Sequence, residues 1–203
     1  MKILYSEIFK KPEFSEKALS ELEKLLPEKF FLAYIIQYKP LALKLKKQFK
    51  NRLAGFSQVL GCSKIKPQKA VLLLEEGRFH ALNLLKYSEK VVVFNSQGIS
   101  ELGIKEKQEI ENREKIKLSS LLHYNSIGIL ISSKQGQYNI LEAVKAKNKL
   151  SEMKKQAYFF LFDTLNPAEL ENFGINFWVN TACPGLEHDF KGVINSQSLF
   201  QIS

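Results

Sequence analysis

The sequence predicts an α/β protein made of two similar three-layer α/β/α domains with mostly parallel sheets. Short apolar runs without alternation recur at 30–36, 71–74, 91–94, 127–131 and 158–162, as expected of strands buried on both faces of a parallel sheet. Helical spacing fills the intervals between them, which is the pattern of βα repeats. With 45% hydrophobic and 11% aromatic residues in 203, the chain has enough apolar material for packed cores and does not belong to the disordered class.

In chain order, Ile3-Leu4-Tyr5 reads as a short strand. Phe14, Ala18, Leu19, Leu22, Leu25 and Leu26 then form the apolar stripe of one helix, with Ser15 as N-cap and Pro27 closing it. One short strand and one helix ahead of a well-formed strand resemble the end of another domain, so residues 1–29 are read as a tail. Residues 30–36 are the first buried strand. A helix follows over 41–49, with Pro40 at its start and Gly55 permitting the turn into the next strand, 56–60, which runs into Gly61-Cys62-Ser63. The strand at 71–74 ends in Glu75-Glu76-Gly77-Arg78-Phe79-His80, and 91–94 is the next, so residues 30–104 form one α/β domain.

A charged helical stretch over 105–124, with Glu109 and Arg113 four apart, reads as a linker helix opening a second domain, 105–203. Its first strand, 127–131, leads through Ser132-Ser133-Lys134-Gln135-Gly136-Gln137 into a helix at 140–153. Strand 158–162 follows, then a short helix started by Asn166-Pro167. The apolar Phe177-Trp178-Val179 runs into Asn180-Thr181-Ala182-Cys183-Pro184. Pro184 supplies no N–H and disfavours helix at Cys183, so the thiol is placed in an extended or turn geometry at a strand end, pointing out of the sheet's edge, a good place for a metal ligand.

The net charge of +9 raises nucleic-acid binding, since lysine and arginine release counterions from phosphate backbones. The basic residues, among them Lys44, Lys46, Lys47, Lys50 and Arg52, are instead spread along helices as a solvated surface, and no direct nucleic-acid contact is expected. The longest apolar run is too short to cross a bilayer, and nothing after Met1-Lys2-Ile3-Leu4 resembles a signal-peptide core, so a cytoplasmic location away from membranes is expected. Two cysteines far apart in sequence, Cys62 and Cys183, form neither a disulfide framework nor a zinc knuckle. Taken alone they also suit two buried, inert thiols.

Open α/β sheets bind ligands beyond the carboxyl ends of their strands, and there both cysteines, Gly77-Arg78-Phe79-His80 and Gly136-Gln137 fall, suggesting a site shared between two domains. Five short motifs in this order, Ile36-Gln37-Tyr38, Val59-Leu60-Gly61-Cys62, Gly77-Arg78-Phe79-His80, the 132–137 stretch and Asn180-Thr181-Ala182-Cys183-Pro184, resemble the diphthamide synthase family, 2-(3-amino-3-carboxypropyl)histidine synthases. The resemblance covers the second and third of that family's three domains. It implies a four-iron, four-sulfur (4Fe-4S) cluster held by one cysteine from each domain, here Cys62 and Cys183. One iron is left open for substrate, and thiolates are the soft ligands such clusters need.

The activity so implied is radical transfer of the 3-amino-3-carboxypropyl group from S-adenosylmethionine to a histidine of translation elongation factor 2. Gly136 and Gln137 would help hold the cofactor's methionyl part, with Arg78 and His80 lining the same cavity. The residues alone also allow an Arg78 ion pair with Glu75 or Glu76, a capping or packed His80, and an ordinary turn at Gly136-Gln137. Where the family commonly has arginine two positions after its last cysteine, this chain has Gly185. The family's first domain and third cysteine have no counterpart in these residues. Three arrangements are open: half of an enzyme completed by a second chain carrying that domain and cysteine, a non-catalytic accessory subunit, or a cluster assembled between two copies. A basic module binding RNA or a ribosomal component on the same fold is the alternative of a different class.

Overall fold

Alternate residues of the central strands feed two separate cores, one on each side of a sheet. The computed structural model of the chain describes residues 8–9, 15–190 and 192–202. The strand expected at Ile3-Leu4-Tyr5, and Pro12 and Phe14, lie outside the described residues. Two compact units divide the chain at Ile110 and Glu111.

In the first unit, α1 (Glu16–Leu25) begins at Ser15, whose hydroxyl accepts from the Ala18 N–H at 3.2 Å. Its Leu22, with the following Leu26, joins the core of this unit. Then come β1 (Phe30–Tyr34), a 3-10 turn (Ile36–Tyr38), α2 (Lys39–Gln48), β2 (Leu53–Gln58), β3 (Gln68–Leu74), α3 (Phe79–Leu85), β4 (Ser88–Asn95) and β5 (Gly98–Leu102). The sheet order is β2-β1-β3-β4-β5; only β5, returning from β4 by a two-residue turn, is antiparallel. Leu72 and Leu74 of β3 pack with α1 and α2 on one side, while Val71 and Leu73 pack with Ala81, Leu84 and Leu85 of α3 on the other. This two-sided burial is why the strand has no polar alternation.

Gly55 is a correction. It lies inside β2 and not in the turn before it, and a β-carbon there would stand 2.5 Å from the Phe31 ring. The glycine makes room for an aromatic ring on the neighbouring strand.

Helix α4 (Ile104–Leu121) carries the chain across the division. Ile110 packs on the first unit's core, and Leu118 and Leu121 on that of the second. The second unit continues with β6 (Ser126–Ser132), α5 (Ile140–Glu152), β7 (Gln156–Phe162), α6 (Pro167–Glu171), β8 (Trp178–Asn180), α7 (Leu186–Asp189), β9 (Val193–Asn195) and α8 (Ser196–Leu199). Its four strands are all parallel, in the order β7-β6-β8-β9. Ile127, Ile129 and Ile131 of β6 pack under α5, while Leu130 packs with Trp178 and Val193 on the opposite side. The sequence's expectation of α/β units with mostly parallel sheets is met, and both units share one connectivity: first strand central, second to one side, third and fourth to the other.

Candidate functional site

Where consecutive strands depart to opposite sides of the first one, the two loops leaving adjacent strands open a crevice at the carboxyl edge of the sheet. In the second unit these loops follow β6 and β8. They are Ser133 to Tyr138 and Thr181 to Gly185, the two stretches that carry Gln137 and Cys183. A cavity of ≈ 380 Å³ lies there, lined by Cys183, Gln137, Lys134, Asp163, Thr164 and Leu165 among others. Gly136 sits at φ +80 with open space where a β-carbon would be, so its conformation and not crowding calls for glycine.

The loop bearing Cys183 is pinned by buried amides. Asn180 donates from Nδ2 to the Cys183 carbonyl at 2.8 Å and to Asn195 Oδ1 at 2.7 Å, and its Oδ1 accepts the Ala182 N–H at 2.9 Å. Thr181 donates to the Leu130 carbonyl at 2.8 Å, tying the loop to β6. Asn195 Nδ2 reaches the Pro184 carbonyl at 3.2 Å and also donates to the Glu187 carboxylate, which is buried and faces the Lys117 ammonium at 3.9 Å. Cys183 itself is partly exposed beside the cavity. Every amide around it has its partners, so the loop presents the sulfur from a fixed frame.

In the first unit the corresponding crevice lies between the loops after β1 and β3. Tyr38, fully buried, donates its hydroxyl to the Glu76 carboxylate, which also accepts from Ser96 Oγ at 2.9 Å. Burial, then the hydrogen bond and charge of Glu76, push the Tyr38 phenol up to about 12. Glu75, also buried, accepts the Ala81 N–H at 3.0 Å and pairs with His80 Nδ1 at 2.6 Å. The carboxylate thus caps α3, and His80 is engaged as a packed partner of Glu75. Arg78 is exposed at the cap position of α3 and makes no ion pair with Glu75 or Glu76. The Glu106 carboxyl is held below the usual range first by the Gly103 N–H and its own N–H, with a smaller contribution from the Arg78 charge.

Cys62 leaves the edge strand β2 in a turn closed by Ser63, whose Oγ accepts the Leu60 N–H at 2.8 Å and whose carbonyl accepts from Asn83 at 3.0 Å. Gly61 lies against the Phe79 ring, where a β-carbon would be 2.2 Å from it. Cys62 is exposed and Cys183 partly so; neither is the buried, inert thiol that the cysteine count alone allowed.

The Tyr38 phenol gives a pH prediction. Because its folded-state value is raised from 10.0 to about 12, the associated stability is present below pH 10 and is lost as pH rises through 12. Alkaline unfolding curves should therefore fall more steeply across that interval in the native chain than in Tyr38→Phe. Parallel curves would contradict the Tyr38–Glu76 link.

Sequence reasoning singled out Cys62, Cys183, Gly136, Gln137, Arg78 and His80. The structure gathers Cys183, Gly136 and Gln137 at one crevice of the second unit, and places Cys62, Arg78 and His80 at the carboxyl edge of the first sheet. It adds Lys134 and Asp163 to the cavity and Asn180, Asn195 and Glu187 to the frame behind Cys183. The model of the diphthamide synthesis protein family matches residues 1–193. The chain belongs to that family.

A curated relative in the diphthamide synthesis family, 2-(3-amino-3-carboxypropyl)histidine synthase of Pyrococcus horikoshii, is 23% identical over 146 residues, 70% of this chain and 42% of the relative. The crystal structure of Dph2 from Pyrococcus horikoshii superposes with a TM-score of 0.78 at 21% identity, covering 92% of this chain and 62% of that one. The Dph2 structure with a 4Fe-4S cluster gives 0.75 at 20% identity, covering 91% and 59%. These are likenesses of fold, and the chain spans less than two thirds of each relative. Among the described residues no helix is long and apolar enough to cross a membrane, and no group of three or more His, Cys, Asp or Glu is placed to hold a metal ion.

Proposed function

We propose that this chain supplies two domains and two cysteine ligands to an iron-sulfur enzyme of diphthamide synthesis. That enzyme transfers the 3-amino-3-carboxypropyl group of S-adenosylmethionine to a histidine of elongation factor 2. The observation that carries this reading is Cys183, held by the Asn180 amide at the rim of a cavity it shares with Gln137 and Lys134, in a chain of this family.

The donor set fits part of a cluster site. Each unit brings one accessible thiol to the carboxyl edge of its sheet, and thiolate is the ligand that iron-sulfur clusters select. Two thiols do not complete such a site, so the third comes from a polypeptide outside these 203 residues. When bound, the cluster supplies the electron that cleaves the sulfonium cofactor.

This chain's residues bind and orient. Gln137 and the polar backbone at Gly136 hold the methionyl part. Lys134, in the same cavity, supplies the positive charge for its carboxylate that Gly185 does not provide. Arg78 and His80 are the residues of the first unit assigned to cofactor binding, His80 being fixed by its pairing with Glu75.

The test is anaerobic co-expression with a polypeptide bearing the family's first domain, followed by transfer of label from the cofactor to elongation factor 2. Labelling only when both chains are present is the expected result. Turnover by the purified chain supplied with cluster reagents, cofactor and elongation factor alone would overturn the requirement for a partner. Labelling by the partner polypeptide that is indifferent to Cys62→Ala and Cys183→Ala would instead assign this chain an accessory role.

A further inference from the structure

The net charge of +9 comes from one stretch of the chain. Residues 29–74 hold ten of the 30 basic residues and none of the 21 acidic ones, so the remaining residues carry 20 basic against 21 acidic. We propose that the fold gathers this charge into a flank that binds the phosphate backbone of single-stranded RNA, wrapped round the open edge of strand β2.

Some of the ten are committed to the fold. Arg52 donates to the Leu26 and Pro27 carbonyls at 2.6 and 2.9 Å and lies over the Phe30 and Phe49 rings, and Lys29 donates to the Asn51 carbonyl at 2.8 Å. Lys44, Lys46, Lys47, Lys50, Lys64 and Lys66 are exposed, and among the described residues none of these six pairs with a carboxylate.

Their placement follows from the packing. β2 is the edge of the first sheet, bonded to β1 alone. Helix α2 covers one face of the sheet through Ala42 and Leu45, and the segment 59–67 covers the other through Val59 and Ile65. Lys64 and Lys66 flank the inward Ile65 and stand in solvent on that face. On α2, Lys46 and Lys50 are one turn apart, and Lys46 lies over the ring of Phe56, a β2 residue, at 4.5 Å, which holds its ammonium beside the edge. Gln48, which donates to Glu23 of α1 at 3.0 Å, stands about 200° round the helix from both, so that carboxylate lies away from the flank. Between the two sets of lysines the strand exposes Ala54, Ser57 and Gln58, all uncharged. In sequence these lysines look like one more solvated helix and its loop; the fold brings them round a single strand edge.

The chemistry selects the occupant. All six cations are ammonium groups, compact point charges suited to phosphate, with no guanidinium fork for bidentate recognition of carboxylates. Protein interfaces are depleted of lysine and built round a buried apolar centre. Here the exposed apolar side chains Leu43 and Leu60 stand apart, one on α2 and one on the segment covering the opposite face. Duplex DNA is stiff over about 150 bp and cannot follow a flank that turns from a helix, round a strand edge, to a loop on the far face. A single strand can, and in a cell single strands are chiefly RNA. Contacts of lysine to phosphate carry no base preference, so binding is independent of sequence.

Fluorescence anisotropy of a labelled single-stranded RNA of mixed sequence, titrated with the purified chain at several salt concentrations, tests the proposal. With six phosphates neutralised, log K is expected to fall against log salt with a slope of about −4, a loss on the order of 300-fold between about 50 and 200 mM. Lys46→Gln, Lys47→Gln and Lys50→Gln combined should weaken binding at least about tenfold and make the slope shallower by about 2. The matched triple Lys115→Gln, Lys145→Gln and Lys147→Gln, exposed lysines of the second unit, lowers the net charge equally and should keep the affinity within about twofold, since salt screens distant charges. Both triples should retain the native circular dichroism. No binding at about 50 mM salt, an unchanged slope in the first triple, equal losses in both triples, or a duplex of the same sequence that binds as tightly would each overturn the proposal. So would polyglutamate that competes with the RNA at equal charge, which would make the flank a docking surface for an acidic protein.

Discussion

Cys183→Ala is expected to leave the fold intact and to abolish cluster loading in the assembled enzyme. The side chain is partly exposed and belongs to none of the buried clusters, so truncating it removes little packing and should shift stability by less than about 1 kcal/mol. The loop keeps its shape because its frame is made by other residues: Asn180 holds the Cys183 carbonyl, and the Leu186 N–H donates to the same oxygen at 3.1 Å. Changes outside the ligand shell commonly lower metal affinity by about 10–100-fold, so loss of a ligand should reduce bound iron at least that far. Cys62→Ala should do the same, since its exposed thiol has no packing role. Iron content and visible absorption after anaerobic reconstitution, recorded beside a melting curve, check both halves of the expectation. Full iron loading in either variant, or a collapse of the melting temperature, would contradict it.

Asn180→Ala should be destabilising, by about 3 kcal/mol, for a reason that has nothing to do with iron. The amide is 1% exposed and makes three hydrogen bonds, to the Cys183 carbonyl, to Asn195 Oδ1 and from the Ala182 N–H. Its removal strands groups that water reaches poorly, at about 1–3 kcal/mol for each one left without a partner. A fall in melting temperature on the order of 10 °C follows for a chain of this size. Asn180→Asp keeps the acceptor for Ala182 but loses both donations, and it brings a carboxylate against the Asn195 and Cys183 oxygens, so it should not rescue. A melting temperature within about 2 °C of the native value in Asn180→Ala would show that the loop is held by other means.

Residues whose partners are local or whose burial is two-sided were the legible ones. β3, β4 and β6 stand out in the sequence because both faces of each strand are covered, leaving no polar alternation. The N-caps at Ser15 and Asn166 are legible because the acceptor and its N–H lie within three residues. β5 is not, since its exposed, polar-rich residues are ordered by pairing with β4, not by their own pattern. β9 has only three residues. The turn before it depends on Gly192 at φ +68, where a β-carbon would meet the Asn176 carbonyl at 2.7 Å.

The candidate site divides in the same way. The thiol at a strand end was visible from the proline that follows it, and Gln137 from the glycine turn beside it. The frame of Asn195, Glu187 and Lys117 was not, because its members come together from β9, α7 and α4 through tertiary packing. Gly55 was read as a turn because glycine marks both turns and close approaches, and only the Phe31 ring distinguishes them.

The central claim is that this chain contributes Cys62 and Cys183 to a cluster completed from outside it. Anaerobic reconstitution of the chain together with a polypeptide bearing the family's first domain, with iron counted per complex, tests it most directly. About four irons per complex, lost when Cys62 and Cys183 are both replaced by alanine, is the predicted result. The same iron content in the double variant would contradict it.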